Sequence, residues 1–178
     1  RYCPLDTLEY YFSPSCDPNM KYIVSVDLSN FDTSTLTNMK SAFADCEQLE
    51  SVDFYNFKGS SIINMNFLFF NCVSLKSIDF SYLEPKSIAY MNSMFSGCTS
   101  LESIKFSSSE VTSLIDLEEM FYNCRSLKSL DLSKFITIST INMEYMFAGC
   151  TSLKYLDVSN FNMENVKYAA SMFENVIS

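Results

Sequence analysis

Apolar residues recur along most of the chain with a strict 26-residue period. If the cysteine of each unit is position 0, apolar side chains stand three residues before it and three, six and eight residues after it. The unit around Cys124 shows the pattern, with Phe121, Leu127, Leu130 and Leu132 at these positions. The cysteines that mark the units are Cys46, Cys72, Cys98, Cys124 and Cys150. A period without insertion or deletion predicts a protein built of stacked repeat units.

The residues from five to nine positions after each cysteine alternate polar and apolar side chains. One example is the run Ser129, Leu130, Asp131, Leu132 and Ser133. Such alternation is typical of a short strand with one buried face. We therefore expect parallel strands at or near residues 26–28, 52–54, 78–80, 104–106, 130–132 and 156–158.

The part of each unit that leads up to the cysteine has a different pattern. In one unit the apolar residues Met143, Met146, Phe147 and Cys150 are spaced at i, i+3, i+4 and i+7. This spacing predicts one apolar stripe along a helix of about two turns. Asn142 precedes the stripe and is well placed to cap the helix, as Asn38 is in the first unit.

A strand and a short helix within one such unit cannot bury their own apolar faces, but stacked copies can. The sequence therefore predicts an α/β repeat fold, a right-handed solenoid with one short parallel strand and one short helix per 26-residue unit. Six units occupy residues 20–178, and residues 1–19 form a proline-containing lead-in that resembles an N-terminal cap. The chain begins with Arg1 and not with Met, which indicates a processed product or a fragment of a longer protein.

The composition excludes several classes of function. The 178 residues include 21 acidic and 12 basic side chains, for a net charge of −9, so nucleic acid and anionic membrane surfaces are poor partners. There is no histidine, which removes Ser–His and Cys–His catalysis and histidine-ligated metal sites. No apolar run approaches the roughly 18–20 residues that span a bilayer. We expect no enzymatic activity, no cofactor, no metal site and no membrane span.

The run Leu127-Lys128-Ser129-Leu130-Asp131-Leu132 has the L-x-x-L-x-L pattern of a leucine-rich repeat. With the preceding M-F-x-x-C-x-S-L pattern, residues 120–135 and 146–161 resemble the 26-residue class of BspA-like leucine-rich-repeat surface proteins of bacteria and protists. The resemblance implies a leucine-rich-repeat fold and an extracellular or cell-surface location. The unit 98–123 departs most from the pattern, with Lys105 in place of Asp and Ser109 in place of Phe.

One column differs from the common leucine-rich repeat, which places a buried asparagine three residues beyond the last apolar residue of the strand. Here that column contains Phe31, Phe57, Leu83, Ser109, Phe135 and Phe161. The phenylalanines of this column predict an aromatic spine that runs from unit to unit. Aromatic pairs of this kind add about 0.5–1.5 kcal/mol beyond their burial.

The cysteines fall into two groups. The five ladder cysteines stand once per unit without C-x-x-C clusters, so we expect small buried apolar side chains, with disulfides between units as the alternative. Cys3 and Cys16 lie in the lead-in, and we expect them to form a disulfide that braces the N-terminal cap.

Candidate binding residues lie on the outward side of the predicted strands, along the concave face of the solenoid. A column of aspartates is interrupted by one lysine: Asp27, Asp53, Asp79, Lys105, Asp131 and Asp157. This column could hold divalent cations or basic groups, but the favoured interpretation is that backbone amides or nearby serines bind each carboxylate. Tyr55, Tyr82 and Tyr155 are the aromatic residues best placed to anchor a ligand.

Two functions fit these observations. The first is a non-enzymatic extracellular module that binds protein or glycan in the manner of an adhesin. The alternative is a structural subunit that stacks end to end in a fibre or array, through Met172, Phe173 and Val176 of the last apolar stripe. Repeat proteins usually cover such a stripe with a capping segment, and Ile177 and Ser178 are too few to do so.

Overall fold

The structure of the protein, a computed structural model, describes residues 6–176. These residues contain one three-residue strand in each unit. The strands are β1 (Ser25–Asp27), β2 (Ser51–Asp53), β3 (Ser77–Asp79), β4 (Ser103–Lys105), β5 (Ser129–Asp131) and β6 (Tyr155–Asp157). Each begins one residue earlier than predicted. The expected solenoid of short parallel strands is confirmed, and its right-handed path stays a prediction.

Neighbouring strands pair in parallel, and their register equals one repeat period. β1 pairs with β2, β3 with β4, and β5 with β6. Within β2, Val52 is buried while Ser51 and Asp53 are exposed. Side chains of a strand alternate between its two faces, so one face of each strand closes the core and the other stays open to solvent.

The prediction of a short helix in each unit is wrong. The residues that lead up to each cysteine form a succession of turns, which we call the turn segments. Their ranges are 38–46, 64–72, 90–98, 116–124, 142–150 and 168–176. A helix keeps its backbone hydrogen bonds to itself, whereas alternate N–H groups here donate to the next unit. Met39 N donates to Asn64 O at 2.9 Å, and Phe43 N donates to Leu68 O at 3.0 Å.

The intervening N–H groups close turns within the segment, as when Ala42 N donates to Met39 O at 3.1 Å. Nine residues are fewer than the roughly 12–15 that make a helix stable on its own, so bonds to a neighbouring unit decide the conformation. The residues of the apolar stripe are nevertheless buried as expected, for example Met143, Met146 and Phe147. Asn38 and Asn142, the expected helix caps, instead accept the N–H two residues on, from Lys40 at 2.9 Å and Glu144 at 3.1 Å.

Two residues in each turn segment have a positive φ, between 52° and 79°. The second of them stands immediately before the cysteine, or before Val176 in the last segment. This column consists of Asp45, Asn71, Gly97, Asn123, Gly149 and Asn175. Aspartate, asparagine and glycine are the residues that tolerate the left-handed region best. The sequence therefore contained a signal against the helix, because a helix needs negative φ throughout.

The centre of the core is a column of phenylalanine rings, here called the phenylalanine stack. Its members are Phe12, Phe43, Phe69, Phe95, Phe121, Phe147 and Phe173. Successive centroids are 4.9 to 5.8 Å apart, and the ring planes deviate by only 4° to 12°. Each turn segment thus contributes one ring, and each ring covers the one before it.

The predicted aromatic spine three residues beyond the strands is not a stack. Phe57 and Phe135 contact other columns edge-on, at 5.1 Å from Phe54 and 5.0 Å from Phe106. Leu83 and Ser109 also interrupt the column, which leaves phenylalanines in successive units only at Phe31 with Phe57 and at Phe135 with Phe161.

Residues 7–12 form an additional turn segment that precedes the first strand. Leu8 N donates to Asn38 O at 2.8 Å, and Phe12 N donates to Ala42 O at 2.9 Å. Tyr10 has the positive φ of the later segments, 55°. Thr7 pairs with Asn38, which stands five positions beyond one full period. The segment therefore does not follow the 26-residue repeat of the sequence. It places the Phe12 ring over the end of the phenylalanine stack.

A short 3-10 helix, Pro18–Tyr22, links this segment to β1. Among residues 6–176, no helix has the length and apolar character needed to cross a membrane.

Replacing Phe95 by alanine should lower the free energy of unfolding by about 3–5 kcal/mol, because it leaves a cavity in the middle of the phenylalanine stack. Ser103→Ala is the control, since Ser103 is exposed on β4 and should change stability by less than about 0.5 kcal/mol. Urea denaturation of both variants measures the two effects. Equal losses would contradict the assignment of buried and exposed faces.

Candidate functional site

The open side of the six strands forms one continuous surface, here called the strand face. Each unit contributes the first and third residues of its strand and the residue two positions further on. The third residues are the predicted column Asp27, Asp53, Asp79, Lys105, Asp131 and Asp157, and none of the six is buried. Within the pairs β1–β2, β3–β4 and β5–β6, parallel pairing in a 26-residue register places these side chains next to their equivalents.

Each aspartate of this column ends its strand with a local hydrogen bond. Asp27 Oδ1 accepts the N–H of Ser29 at 2.8 Å, and Asp53 Oδ1 accepts the N–H of Tyr55 at 2.8 Å. The aspartates of β3, β5 and β6 accept the equivalent N–H at 2.8 to 2.9 Å. One carboxylate oxygen therefore holds the turn after the strand. The second oxygen of Asp79 pairs with Lys105 Nζ at 3.4 Å, and that of Asp157 lies 3.5 Å from the Tyr155 hydroxyl.

These hydrogen bonds keep the strand face anionic. Bonds from the hydroxyl and the N–H of Ser29 lower the pKa of Asp27, and bonds from the N–H and hydroxyl of Ser159 lower the pKa of Asp157. Partial burial raises the pKa of Asp79. Bonds from Ser81 and the charge of Lys105 lower it by more, so the pKa of Asp79 lies below its usual value. Within residues 6–176, no three His, Cys, Asp or Glu side chains are grouped so that they could hold a metal ion.

The predicted tyrosines occupy two separate places. Tyr55 and Tyr82 contact each other edge-on, with ring centroids 4.9 Å apart, and are 52% and 47% exposed. Tyr155 stands on β6 and is 57% exposed. Its hydroxyl lies 3.5 Å from Asp157 Oδ2, and the negative charge of Asp157 raises the pKa of Tyr155. The structure thus brings together two of the three tyrosines.

A row of charged pairs along one edge of the strand face was missed by the sequence reasoning. Lys76 Nζ lies 3.0 Å from Glu50 Oε2, and Lys128 Nζ bonds to Glu102 Oε2. The bond from Lys128 lowers the pKa of Glu102. The signal was present in the sequence, because the fourth residue after each ladder cysteine is Glu50, Lys76, Glu102, Lys128 and Lys154. Charges of opposite sign that stand one period apart in the sequence become neighbours in this fold.

The ladder cysteines lie in the core, away from the strand face. All five are buried and none forms a disulfide. Each thiol donates to the carbonyl of a phenylalanine in the preceding unit, as Cys72 Sγ does to Phe43 O at 3.1 Å. Burial raises the pKa of Cys46 and of Cys150 to about 12. The thiols are therefore protonated at neutral pH, and protonated thiols are poor nucleophiles and poor metal ligands. The predicted partner of Cys16, Cys3, lies outside the described residues, so that disulfide stays a prediction.

The residues predicted for end-to-end assembly differ in exposure. Met172 is buried, Phe173 is 51% exposed and Val176 is partly exposed. The Phe173 ring stacks on Phe147 at 5.4 Å, as the earlier members of the stack do on their neighbours. Six backbone N–H groups of this last turn segment have no acceptor among residues 6–176. They belong to Ala169, Ala170, Ser171, Met172, Phe173 and Asn175.

Ellman's reagent should distinguish the ladder thiols from reactive ones in a Cys3→Ser, Cys16→Ser variant, which retains five cysteines. The folded variant should react very slowly, because the thiols are buried and protonated. Denaturation without reductant should release five equivalents. Rapid reaction of the folded protein would show an accessible ladder, and fewer than five equivalents would show cross-linking between units.

A family model described as "Mycoplasma protein of unknown function, DUF285" matches residues 18–130 and 91–178. A leucine-rich repeat protein from Eubacterium ventriosum has a similar structure, with a TM-score of 0.55, 12% identity, and coverage of 88% of this chain and 44% of that one. A second, from Bacteroides ovatus, has a TM-score of 0.38, 22% identity, and coverage of 88% and 47%. No curated protein matches the chain.

The Eubacterium structure confirms the leucine-rich-repeat fold. This chain spans less than half the length of either solved protein. The narrower resemblance to the BspA-like 26-residue class stays a prediction. Because the two overlapping matches together extend over residues 18–178, the protein belongs to the DUF285 family.

Proposed function

We propose that the chain is a non-enzymatic binding module that engages a protein or a glycan through its strand face, outside the cell or at its surface. The resemblance to BspA-like surface proteins supports the location. The chemistry of the chain supports a binding role, since it has no histidine and its ladder thiols are buried and protonated.

The observation that carries the proposal is the pair formed by Tyr55 of the strand face and Tyr82 of the next unit. Two half-exposed rings in contact offer a large apolar area at little cost in side-chain entropy. Asp53 stands two residues before Tyr55, with one carboxylate oxygen held by the Tyr55 N–H. Aromatic rings beside fixed carboxylates favour a partner that presents hydroxyl groups or basic side chains, because anionic partners are repelled.

The double variant Tyr55→Ala, Tyr82→Ala should weaken binding about tenfold or more, since aromatic anchors contribute much of the affinity of an interface. Binding is measured with the purified chain on a glycan array and on a panel of purified extracellular proteins. Tyr168→Ala is the matched control, because Tyr168 is similarly exposed but lies in a turn segment. Unchanged binding by the double variant, or an equal loss in the control, would contradict the role of the pair.

A second candidate function is end-to-end assembly of the 178-residue chain into a fibre or array. The Phe173 ring supports it, because it stacks on Phe147 as the inner members of the phenylalanine stack do on their neighbours and is half-exposed. A head-to-tail contact that adds a ring of a second copy to the stack would propagate without closing.

Phe173→Glu combined with Val176→Lys should abolish association while leaving the fold intact, because it places charges on the open apolar edge. Sedimentation velocity and light scattering measure the assembly. Ser51→Glu with Ser77→Lys makes the same charge change on the exposed strand face and is the control. A monodisperse monomer of the unmodified chain at high concentration would overturn this second candidate.

A further inference from the structure

The unit that contains β4 departs from its neighbours in both charge and backbone path. Lys105 stands where the other five strands have aspartate. In the other five units, the fourth residue after the strand closes a turn, as Phe57 N does by donating to Phe54 O at 3.0 Å. Here Ser109 N donates instead to the hydroxyl of Ser107, at 3.2 Å. The repeat is therefore broken immediately after β4.

The break shifts the pairing between this unit and the next by two residues. Val111 pairs with Phe135 and not with Thr137, which stands one full period after it, and Val111 N donates to Lys134 O at 2.8 Å. Val111 is buried, while Ser108 and Ser109 are exposed. The regular register is restored beyond this loop, where Asp116 pairs with Asn142. The loop 107–110 consequently leaves part of the core uncovered.

The uncovered part is the apolar side of β4. Ile104 and Phe106 are partly exposed, although their equivalents in the internal units are buried, such as Ile78 and Phe80 in the unit before. The two residues line the apolar wall of an open groove on the strand face, whose charged members are Lys105, Asp131 and Lys134. Their side chains pack against the core, where the Phe106 ring contacts Phe80 and Phe135. We call it the β4 groove. Phe106 also lines a small apolar cavity on the inner side.

The β4 groove carries positive charge that the rest of the strand face lacks. Its two lysines exceed its one aspartate, in a chain whose net charge is −9. Lys134 has no ion-pair partner among residues 6–176, and Lys105 pairs only with Asp79, at 3.4 Å between two exposed side chains. Exposed pairs of this kind contribute little, so a ligand carboxylate can replace Asp79.

We propose that the β4 groove binds a peptide segment of a partner protein in which an apolar side chain stands next to a carboxylate. This inference rests on the proposed binding function and names a partner class for it. The apolar side chain packs on Ile104 and Phe106, and the carboxylate binds Lys105 and Lys134. Elsewhere along the strand face the aspartates repel such a segment, which confines it to this unit. An apolar wall between cations fits a peptide better than a glycan, which has no side chain to place there.

Three peptides test the proposal: acetyl-Gly-Leu-Asp-Gly-amide, the Asn analogue without the carboxylate, and the Ser analogue acetyl-Gly-Ser-Asp-Gly-amide without the apolar group. Each is titrated into the full chain, and NMR follows the methyl signals of Ile104 and the ring signals of Phe106. The Leu-Asp peptide should shift these signals saturably. Each analogue should bind about fivefold more weakly or worse, because each lacks one of the two contacts.

Lys105→Asp should weaken the Leu-Asp peptide about tenfold, since it exchanges the attracting charge for a repelling one. The variant should fold, because it restores the residue that the other five strands have, and thermal melting checks this. Lys154→Asp makes the same charge change at an exposed position in another unit and should leave binding within about twofold.

Equal binding of the three peptides, no binding up to about 10 mM, or unchanged binding by Lys105→Asp would overturn the proposal. A glycan that shifts the Ile104 and Phe106 signals when no peptide does would overturn it as well. The Tyr55→Ala, Tyr82→Ala variant separates this result from the proposed function. If that variant loses its array partner while the peptides fail to bind, the strand-face function stands and the β4 groove does not.

Discussion

The structure depends on one constraint, which is that each unit hydrogen-bonds to the next in a 26-residue register. In the turn segments alternate N–H groups donate to the following unit, and the others close turns within their own. Both sets of bonds are needed, because a buried N–H without an acceptor costs more than a typical bond contributes. An insertion within a turn segment would leave donors unpaired in that segment and its neighbour. The strict period in the sequence follows from this requirement, and the phenylalanine stack follows from the period.

The same register explains why cysteine stands at the end of every apolar stripe from Cys46 to Cys150. The Phe43 carbonyl accepts the N–H of Cys46 at 3.2 Å and the thiol of Cys72 at 3.1 Å, and the later units repeat the arrangement. A cysteine side chain is small and apolar enough for the core, and its weak S–H donor uses the carbonyl's second lone pair. Serine would fit the space but is costlier to bury. The ladder is thus part of the packing between units and takes no part in the strand face.

In a solenoid, one side of each strand closes the core. The side chains on the other side are not needed for packing. Asp27 and Asp53 illustrate this freedom, since one carboxylate oxygen of each accepts the N–H two residues on while the side chain stays exposed. Regular units make this face uniform and anionic. A distinct chemical environment arises only where the repeat is interrupted, and in this chain the interruption after β4 changes charge, backbone path and core exposure at one place. Because these changes are local, the neighbouring units keep their register.

The sequence by itself determined the period, the strand positions, the buried columns and the outward aspartates, since a strict repeat places equivalent residues in equivalent environments. It did not determine the backbone of the turn segments. Met143, Met146, Phe147 and Cys150 have helical spacing and are buried, but a succession of turns buries the same residues and bonds to the neighbouring unit as well. Likewise, the segment 7–12 was hidden because its spacing is longer than the period, and Tyr55 and Tyr82 occupy different positions in their units yet meet in space. Only the tertiary structure decided these points, because they depend on contacts between units that the pattern within one unit does not contain.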